Sequence, residues 1–522
     1  MIRINPLGCV VCFLFVFSVC FIQAEGTAPN VVLIVVEDLG YGDLGCYGAT
    51  KVATPNIDQL AERGRRFTDA HSASAASSPS RYAVLTGAYP FRRNLWAPAR
   101  NDAALLIDPE QSTLANLFQA KGYATAFIGN WQLGFGEGGH DWPELLKAGP
   151  LSLGFDYFYG LPVGNSVSPF VYVENEQIVG GDPEDPLVYL GRKRGKEATP
   201  LTPILPEEGQ RSDNEFGGAQ RAHAIYDDYA VGSQLTQKAN DWIASQARST
   251  GSGQAGQPFF LYYSTVQIHH PYTPAAPFRG SSEAGLYGDV IHELDWLVGQ
   301  LVDQLESQGV LENTLIILTS DNGPMFSAVG QAAFKQGHDS RGELLGYKFS
   351  AWEGGHRVPF IASWPGKIDP GTQSDQLLST MDLFATFAAL TQQANVAPDS
   401  INMLPALLEA PEQALRDHLI IAARQEGHLA LRAGKWAYLP FQGGAGFKGK
   451  KPGQNNFGGP PAVAFSGREN SDIENGRIRK DAPPAQLYDL EADPSQSKNL
   501  YHEHPDVVKQ LASLLSEYKS AK

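Results

Sequence analysis

The sequence contains very little cysteine. Its 522 residues include only 4 cysteines, and three of these fall within residues 1–24. If that segment is removed, Cys46 remains without a partner, so no disulfide bond can form within the mature chain. Stability must therefore come from packing, and a hydrophobic content of 43 % with 26 phenylalanines is ample for a large core.

Positive charge is also scarce. The chain has 40 Lys and Arg residues against 56 Asp and Glu residues, which gives a formal net charge of −16. Nucleic-acid binding needs a basic surface that neutralises phosphates, so no nucleic-acid partner is expected. A small basic run at residues 448–451 is interpreted as a solvated loop, with a flap that meets an anionic substrate as the alternative.

Long apolar runs are confined to the N-terminus. Arg3 precedes an almost wholly apolar stretch at residues 7–22, which predicts a signal peptide at residues 1–24 with cleavage after Ala24. The stretch is shorter than the ~20 residues that a membrane helix needs, and no second one follows, so no stable membrane span is expected. A membrane anchor and a lipoprotein linked through Cys20 are the alternatives. We therefore expect an exported protein, either periplasmic or secreted.

Short apolar runs alternate with helical patterns over most of the chain. Residues 31–36 form a continuous apolar run, which is typical of a strand buried on both faces of a parallel sheet. Thr54-Pro55 indicates the start of a helix that reaches about residue 65. The alternation predicts an α/β fold with a large, doubly wound, mostly parallel sheet flanked by helices. The other predicted elements are strands at residues 125–128, 259–263 and 315–318 and a helix with Val290, Leu294, Leu297, Leu301 and Leu305 on one face.

The C-terminal part of the chain has a different pattern. A segment rich in Gly, Pro and Asn runs from residue 442 to about residue 484, between short predicted strands. We therefore expect a large α/β domain at residues 25–412 and a smaller α+β subdomain with an antiparallel sheet at residues 413–522. The predicted elements of the subdomain are a hairpin at residues 429–432 and 435–438, a strand at 486–489 and an amphipathic helix at about 505–518.

Polar residues follow each of the four predicted buried strands. Because ligands of an open α/β sheet bind at the carboxyl ends of its strands, we expect these residues to share one edge. Any one of them alone has a structural explanation, and their joint placement is what favours a functional site. They are Glu37 and Asp38 after the first strand, Asn130 and Gln132 after the second, His269 after the third, and Asp321 and Asn322 after the fourth.

Oxygen ligands dominate this edge of the sheet. Glu37, Asp38, Asp321 and Asn322 offer carboxylate and amide oxygens, which hard cations such as Ca²⁺ and Mg²⁺ prefer. Three carboxylates in one place are costly without a cation to offset their charge. No cluster of Cys and His residues has the spacing of a zinc site. The sequence therefore predicts a Ca²⁺ site, with Mg²⁺ as the alternative.

The stretch Ser77-Ser78-Pro79-Ser80-Arg81 stands at the predicted start of a helix. One interpretation is that Ser77 or Ser78 caps this helix, with the proline in its first turn. The free backbone N–H groups of a helix start attract anions, and the planar guanidinium of Arg81 suits sulfate or phosphate oxygens. The stretch is therefore a candidate anion pocket as well as a cap.

This stretch and the Leu85-Thr86-Gly87 that follows it resemble the signature of the sulfatase family, within the alkaline phosphatase superfamily. Residues 30–48 resemble the first metal-ligand segment of that family, and residues 321–324 resemble the second. Lys348, followed by Trp352-Glu353-Gly354-Gly355, resembles the family's active-site lysine motif, and residues 487–500 resemble part of its C-terminal subdomain. The resemblance extends over most of the chain after residue 24.

The resemblance implies a role for each candidate residue. Ser77 would be oxidised to formylglycine by a formylglycine-generating maturation enzyme, and its hydrated form would be the nucleophile. Arg81 would hold it in place, and Ca²⁺ on the four oxygen ligands would neutralise the sulfate oxygens. His269 and Lys348 would help the ester oxygen leave. The implied substrate is a sulfate ester, in particular that of a sulfated carbohydrate.

Four positions depart from the family pattern. Glu37 stands where the family usually has Asp, and Asn130 and Gln132 stand where it usually has Lys and His. Leu345 stands where relatives often carry Arg. Neutral amides make weaker hydrogen bonds than charged groups. Two alternatives to a sulfatase therefore stay open: a binding protein with impaired turnover, and a phosphoryl-ester hydrolase that uses unmodified Ser77.

Overall fold

A computed structural model gives the structure of the chain. It describes residues 28–139, 145–167, 169–181, 225–248, 257–446 and 458–520, together with short strands at 141–142, 187–188, 204–205 and 220–221. The predicted signal peptide and the basic run at residues 448–451 lie outside the described residues. Among the described helices, none combines the length and the apolar character needed to cross a membrane.

The strands fall into one large sheet and several small ones. In chain order they are β1 (Asn30–Val36), β2 (Arg65–Phe67), β3 (Ala70–His71), β4 (Ala124–Asn130), β5 (Asp141–Trp142), β6 (Tyr157–Leu161), β7 (Val173–Glu174), β8 (Gln177–Ile178), β9 (Leu187–Val188), β10 (Ile204–Leu205), β11 (Gln220–Arg221), β12 (Phe259–Ser264), β13 (Thr314–Ser320), β14 (Phe360–Ser363), β15 (Thr372–Ser374), β16 (Leu378–Ser379), β17 (His418–Ala422), β18 (Leu429–Ala433), β19 (Trp436–Leu439), β20 (Ile473–Glu474), β21 (Arg477–Ile478) and β22 (Gln486–Asp489).

The α-helices lie between these strands. In chain order they are α1 (Pro55–Glu62), α2 (Ser77–Thr86), α3 (Leu114–Gln119), α4 (Val231–Arg248), α5 (Gly285–Ser307), α6 (Ala328–Lys335), α7 (Leu383–Leu390), α8 (Leu404–Leu408), α9 (Pro460–Ser466) and α10 (Pro505–Ser520).

The large sheet has ten strands in the order β15-β2-β14-β13-β1-β12-β4-β6-β7-β8. Its centre is parallel: β1 pairs with both β12 and β13, and β4 lies between β12 and β6. The antiparallel strand β14 follows β13 on one side. The four predicted strands are these central ones, because a strand that is covered on both faces reads as a continuous apolar run. The predicted doubly wound α/β fold is confirmed.

Helices cover both faces of the sheet. Successive side chains of a strand point to opposite faces, so Val31, Leu33 and Val35 pack in one core with Phe118 of α3 and Phe387 of α7. The intervening valines and isoleucine of β1 pack in a second core with helices α4 and α5. The predicted apolar face of α5 is buried in this second core.

Two element boundaries differ from the sequence prediction. Helix α1 ends at Glu62 rather than near Arg65, because Arg65 begins the short strand β2. Strand β4 continues through Asn130, so Asn130 is the last residue of the strand and not part of the following turn. The Asn130 side chain therefore projects from the last position of the strand, whereas Gln132 lies beyond the strand end.

The C-terminal part forms a four-stranded antiparallel sheet in the order β17-β18-β19-β22. Leu511 and Leu515 of α10 pack in one core with Leu431 and Leu487 of this sheet. The same core includes Trp352 and Ala83 of α2, so the small sheet packs against the segment that carries Ser77. The predicted separate antiparallel sheet is confirmed, and the domain boundary at residues 412 and 413 stays a prediction.

Candidate active site

A cavity of about 460 Å³ lies at the edge of the large sheet where the predicted residues meet. Glu37, Ser77, Gln132, His269 and Lys348 line it. The other five predicted residues are buried and are linked to the lining residues by hydrogen bonds, directly or through one another: Asp38, Arg81, Asn130, Asp321 and Asn322. The structure therefore brings all ten predicted site residues together, although they come from six separated segments of the chain.

Ser77 is the first residue of helix α2 and is almost fully buried. The expectation that Ser77 or Ser78 caps the helix is wrong, because Ala76 has the extended backbone of the N-cap and no side chain bonds there. The Ser77 hydroxyl instead donates a 3.1 Å hydrogen bond to Asn322 Oδ1. Its side chain is therefore directed across the sheet edge and into the cavity.

Arg81 lies one helical turn after Ser77, on the same face of α2. Its Nε donates to Asp321 Oδ2 at 3.2 Å, and one terminal nitrogen donates to the Asn130 carbonyl at 2.8 Å. Burial acts to lower the pKa of Arg81, but the Asp321 and Glu37 carboxylates outweigh it, so the net shift is upward. The guanidinium is a fixed positive charge that links the helix to strand β4 and to Asp321, the residue that follows β13.

Glu37 is fully buried, and amide donors occupy both of its carboxylate oxygens. Asn130 Nδ2 donates to Oε2, and Gln132 Nε2 donates to Oε1 at 2.6 Å. Gln132 has a positive φ of 56° and lies two residues after Asn130, the last residue of β4. The two amides that depart from the family pattern therefore bind the longer acid that also departs from it.

Asp38 connects the remaining polar groups of the site. Its Oδ1 accepts hydrogen bonds from Lys348 Nζ and, at 2.8 Å, from Asn322 Nδ2. Its backbone N–H donates to Asp321 Oδ1 at 3.1 Å. Burial acts to raise the pKa of Asp38, but the neighbouring Lys348 ammonium outweighs it, so the net shift is downward. Asp38 is therefore an anion that both Lys348 and Asn322 orient.

The chemistry of these donors fits a hard divalent cation. Three carboxylates and the Asn322 amide offer oxygen ligands of the kind that Ca²⁺ takes. The Asp38 Oδ2 and Asn130 Oδ1 atoms are buried, and neither has a hydrogen-bond partner within the described residues. Among the described residues, Arg81 and Lys348 bring two fixed positive charges to the three carboxylates of Glu37, Asp38 and Asp321, so a bound cation would neutralise the charge that remains.

Lys348 and His269 stand on the cavity wall. Burial acts to lower the pKa of Lys348, but the carboxylates of Asp38, Asp321 and Glu37 outweigh it, so its net shift is upward. The His269 Nδ1 atom lies 2.7 Å from the His270 carbonyl, which places the proton on Nδ1 in the neutral ring. Its Nε2 atom lies 4.0 Å from Glu37 Oε1, next to the cavity.

Leu345 does not lie at the cavity. It is fully buried in the core that joins Trp352 to the small antiparallel sheet. The position is therefore a packing position in this chain, and the absence of an arginine there leaves no gap in the cavity wall.

The sequence did not predict a buried polar group outside the cavity lining, formed by His71, Glu353 and His356. The ligand atoms of His71, Glu353 and His356 all lie within 4.8 Å of one another, and the Nδ1 atoms of the two rings are 3.0 Å apart. Arg432 of β18 donates to Glu353 Oε2 at 2.8 Å and lies 3.2 Å from Asp69 Oδ2. The two histidines are 285 positions apart, so no spacing in the sequence indicates the group.

The comparisons with known proteins agree on one family. The sulfatase family model matches residues 29–393. An N-acetylgalactosamine-6-O-sulfatase of Bacteroides thetaiotaomicron is 36 % identical over 94 % of this chain and 93 % of its own length. Human arylsulfatase A is 33 % identical over 91 % of this chain and 84 % of its own length.

Solved structures support the same assignment. A structure associated with glycosaminoglycan metabolism by Bacteroides thetaiotaomicron has a TM-score of 0.80 and 34 % identity, and the match covers 95 % of this chain and all of that one (100 %). A sulfatase from Pseudoalteromonas sp. has a TM-score of 0.70 and 25 % identity, covering 94 % and 90 %. The chain therefore belongs to the sulfatase family and is a sulfuric ester hydrolase.

Proposed function

We propose that this chain is exported and hydrolyses a sulfate ester of a sulfated carbohydrate, using a formylglycine formed from Ser77 and a bound Ca²⁺. The observation that carries the proposal is the Ser77 side chain, which lines the cavity on the same helical face as Arg81 and bonds to Asn322. The N-acetylgalactosamine-6-O-sulfatase that matches almost the whole chain supports a sulfated sugar as the substrate.

The residues of the chain suit the two groups that this reaction needs. When present, formylglycine at position 77 supplies the attacking hydroxyl, and Ca²⁺ supplies Lewis-acid neutralisation of sulfate oxygens, with Mg²⁺ as the alternative. Glu37, Asp38, Asp321 and Asn322 would hold the cation. A maturation enzyme outside this chain would have to oxidise Ser77, and residues 1–24 would direct export.

Fixed positive charge at the cavity favours an anionic ester. Lys348 stays protonated because three carboxylates surround it, so its ammonium can contact a sulfate oxygen or the ester oxygen. His269 presents Nε2 on the cavity side, and when the ring is protonated this atom can give its proton to the departing alcohol oxygen. Both groups act on charge that develops as the S–O bond breaks.

The test is the chemical state of Ser77 in protein purified from its own host. Peptide mass spectrometry should find Ser77 without the two hydrogen atoms that oxidation removes. The same protein should release sulfate from N-acetylgalactosamine 6-sulfate, and Ser77→Ala should abolish the release. Turnover by protein in which every Ser77 is unmodified would overturn the formylglycine step.

One observation favours the impaired binding protein as a second candidate. The side-chain amides of Asn130 and Gln132 donate hydrogen bonds to Glu37, and neither residue brings a charge to the cavity. This candidate predicts retention on sulfated glycans without hydrolysis. Release of sulfate from any sulfated glycan that depends on Ser77 would exclude it.

A further inference from the structure

A second cavity of about 440 Å³ lies beside the end of helix α10. We call it the aromatic cleft, and it is lined by Phe91, Arg92, Trp96, Leu429, Tyr518 and Lys519. None of these residues lines the catalytic cavity. The walls combine aromatic rings with the cationic side chains of Arg92 and Lys519, although the chain as a whole has a net charge of −16.

The rings of the cleft are held in place from behind. Phe91 and Trp96 stack with their centroids 6.3 Å apart and their planes at 29°, and Tyr89 stacks on Phe91 at 5.0 Å. The Trp96 Nε1 atom donates a 2.8 Å hydrogen bond to Asn94 Oδ1, which fixes the indole. Trp96 is only partly buried, so a rigid aromatic surface remains available at the cavity.

The cations of the cleft are placed around these rings. The Arg92 guanidinium lies 5.8 Å from the Phe91 centroid and 6.0 Å from the Tyr518 centroid. The partly buried Asp399 orients it through hydrogen bonds of 2.9 and 2.8 Å. Lys519 adds a second positive charge at the end of α10. A planar guanidinium and an ammonium beside aromatic faces suit an anionic ligand with a flat, weakly polar face.

The cleft and the catalytic cavity share a wall. Trp96 lines the cleft, and residues 97–101, which follow it directly, line the catalytic cavity. A second segment also reaches both cavities, since Gly427 lines the cleft and Arg424, three residues before it, lines the catalytic cavity. A ligand chain that leaves the catalytic cavity along this wall therefore meets the cleft.

We propose that the aromatic cleft is a second glycan subsite, which binds another sulfated sugar of the same polysaccharide whose ester reaches Ser77. The proposal rests on the sulfated-carbohydrate substrate of the proposed function. The Trp96 ring, which Phe91 backs, takes the C–H face of the sugar, and the Lys519 ammonium takes its sulfate beside the Arg92 guanidinium. The subsite makes the protein favour a polymer over a single sugar.

The first experiment measures binding without turnover. The full chain carrying Ser77→Ala is passed over immobilised chondroitin 6-sulfate and over its chemically desulfated form. Adding Trp96→Ala should weaken binding to the sulfated polymer about tenfold, which corresponds to about 1.4 kcal/mol. Adding Lys519→Gln in place of Trp96→Ala changes an exposed side chain and should reduce the salt dependence of binding.

Trp296→Ala is the matched control for Trp96→Ala. Trp296 is 37 % exposed on α5, packs on Phe278 and lines neither cavity. Its loss should leave binding to the sulfated polymer unchanged. Equal weakening by the two tryptophan substitutions, or unchanged binding with both Trp96→Ala and Lys519→Gln, would overturn the subsite.

The second experiment uses the chain with Ser77 intact and compares substrates of different length. Trp96→Ala should lower the ratio of kcat/KM for a sulfated tetrasaccharide to kcat/KM for N-acetylgalactosamine 6-sulfate. An unchanged ratio would contradict the subsite. If the intact chain releases no sulfate while Trp96 still governs binding to the polymer, the proposed function fails and the subsite stands.

Discussion

The Gln132 side-chain amide donates a 2.6 Å hydrogen bond to the Glu37 carboxylate, at the edge where substrate and cation are expected to meet. Asn130 binds the other oxygen of the same carboxylate. Glu37, Asn130 and Gln132, which all depart from the family pattern, are therefore joined to one another by hydrogen bonds. Two amides fit beside the acid without adding a charge, so the three substitutions have to be interpreted together.

We expect Gln132→Leu to remove one of the two amide hydrogen bonds to Glu37. The change keeps the approximate size of the side chain but leaves Glu37 Oε1 without its donor, and a buried acceptor without a partner costs about 1–3 kcal/mol. The free energy of unfolding should fall by about that amount, and kcat/KM for a sulfate ester should fall at least about tenfold. Denaturant titration and sulfate release measure the two effects.

Gln132→His is the control for that change. The imidazole keeps an N–H donor toward Glu37 and restores the residue that the family usually has. It should lose less stability than Gln132→Leu and retain more activity. Equal losses in the two variants would show that the hydrogen bond to Glu37 is not what matters at this position.

The central strands of the fold could be predicted from the sequence. Strands β1, β4, β12 and β13 are covered on both faces, so each left an unbroken apolar run. Strand β2 has only three residues, which are too few to show any periodicity, so the sequence analysis assigned its first residue to the end of a helix. Strand β14 is short as well, and its pairing with β2 is set by contacts distant in sequence.

The site was predicted because parallel strands present their carboxyl ends at one edge. That rule gathers residues but does not state their contacts. It could not show that Asn130 and Gln132 bind Glu37, or that Ala76 rather than Ser77 caps α2. The group of His71, Glu353 and His356 could not be predicted from the sequence, because its members approach one another only after the chain has folded.

Adding Ca²⁺ should stabilise the folded chain. A ligand that binds only the folded state at 100 times its Kd adds about 2.7 kcal/mol. Thermal unfolding with Ca²⁺ and after chelation should therefore differ by several degrees. Asp38→Asn removes the charge of the central carboxylate and should abolish most of that difference. An equal Ca²⁺ shift in both proteins would place the cation elsewhere.

Arg432→Met should destabilise the fold strongly. Arg432 is almost fully buried and contacts the carboxylates of Glu353 and Asp69, at 2.8 and 3.2 Å. Removing one partner of a buried pair leaves charge uncompensated, which costs about 3–5 kcal/mol. Denaturant unfolding measures the change, and Arg479→Met is the matched control.

The control pair has the same chemistry at the surface. Arg479 contacts Asp481 at 3.0 Å, and both side chains are well exposed. Its loss should cost no more than about 1 kcal/mol, because water screens such pairs. Similar losses for the two arginines would mean that burial does not determine the contribution of Arg432.

Glu293→Gln should remove a pH dependence of stability. Burial on α5 raises the pKa of Glu293 from 4.5 to about 7. Because the folded state then holds the proton more tightly than the unfolded state, stability falls as the pH rises from about 4.5 to about 7. The neutral Gln avoids this loss, so the variant should be more stable than the parent by about 3 kcal/mol at pH 8 and nearly equal to it at pH 4.5. Urea unfolding at the two pH values measures the difference. Glu306→Gln, on the exposed face of the same helix, is the control and should show no difference. A difference that is the same at both pH values would contradict the buried, protonated Glu293.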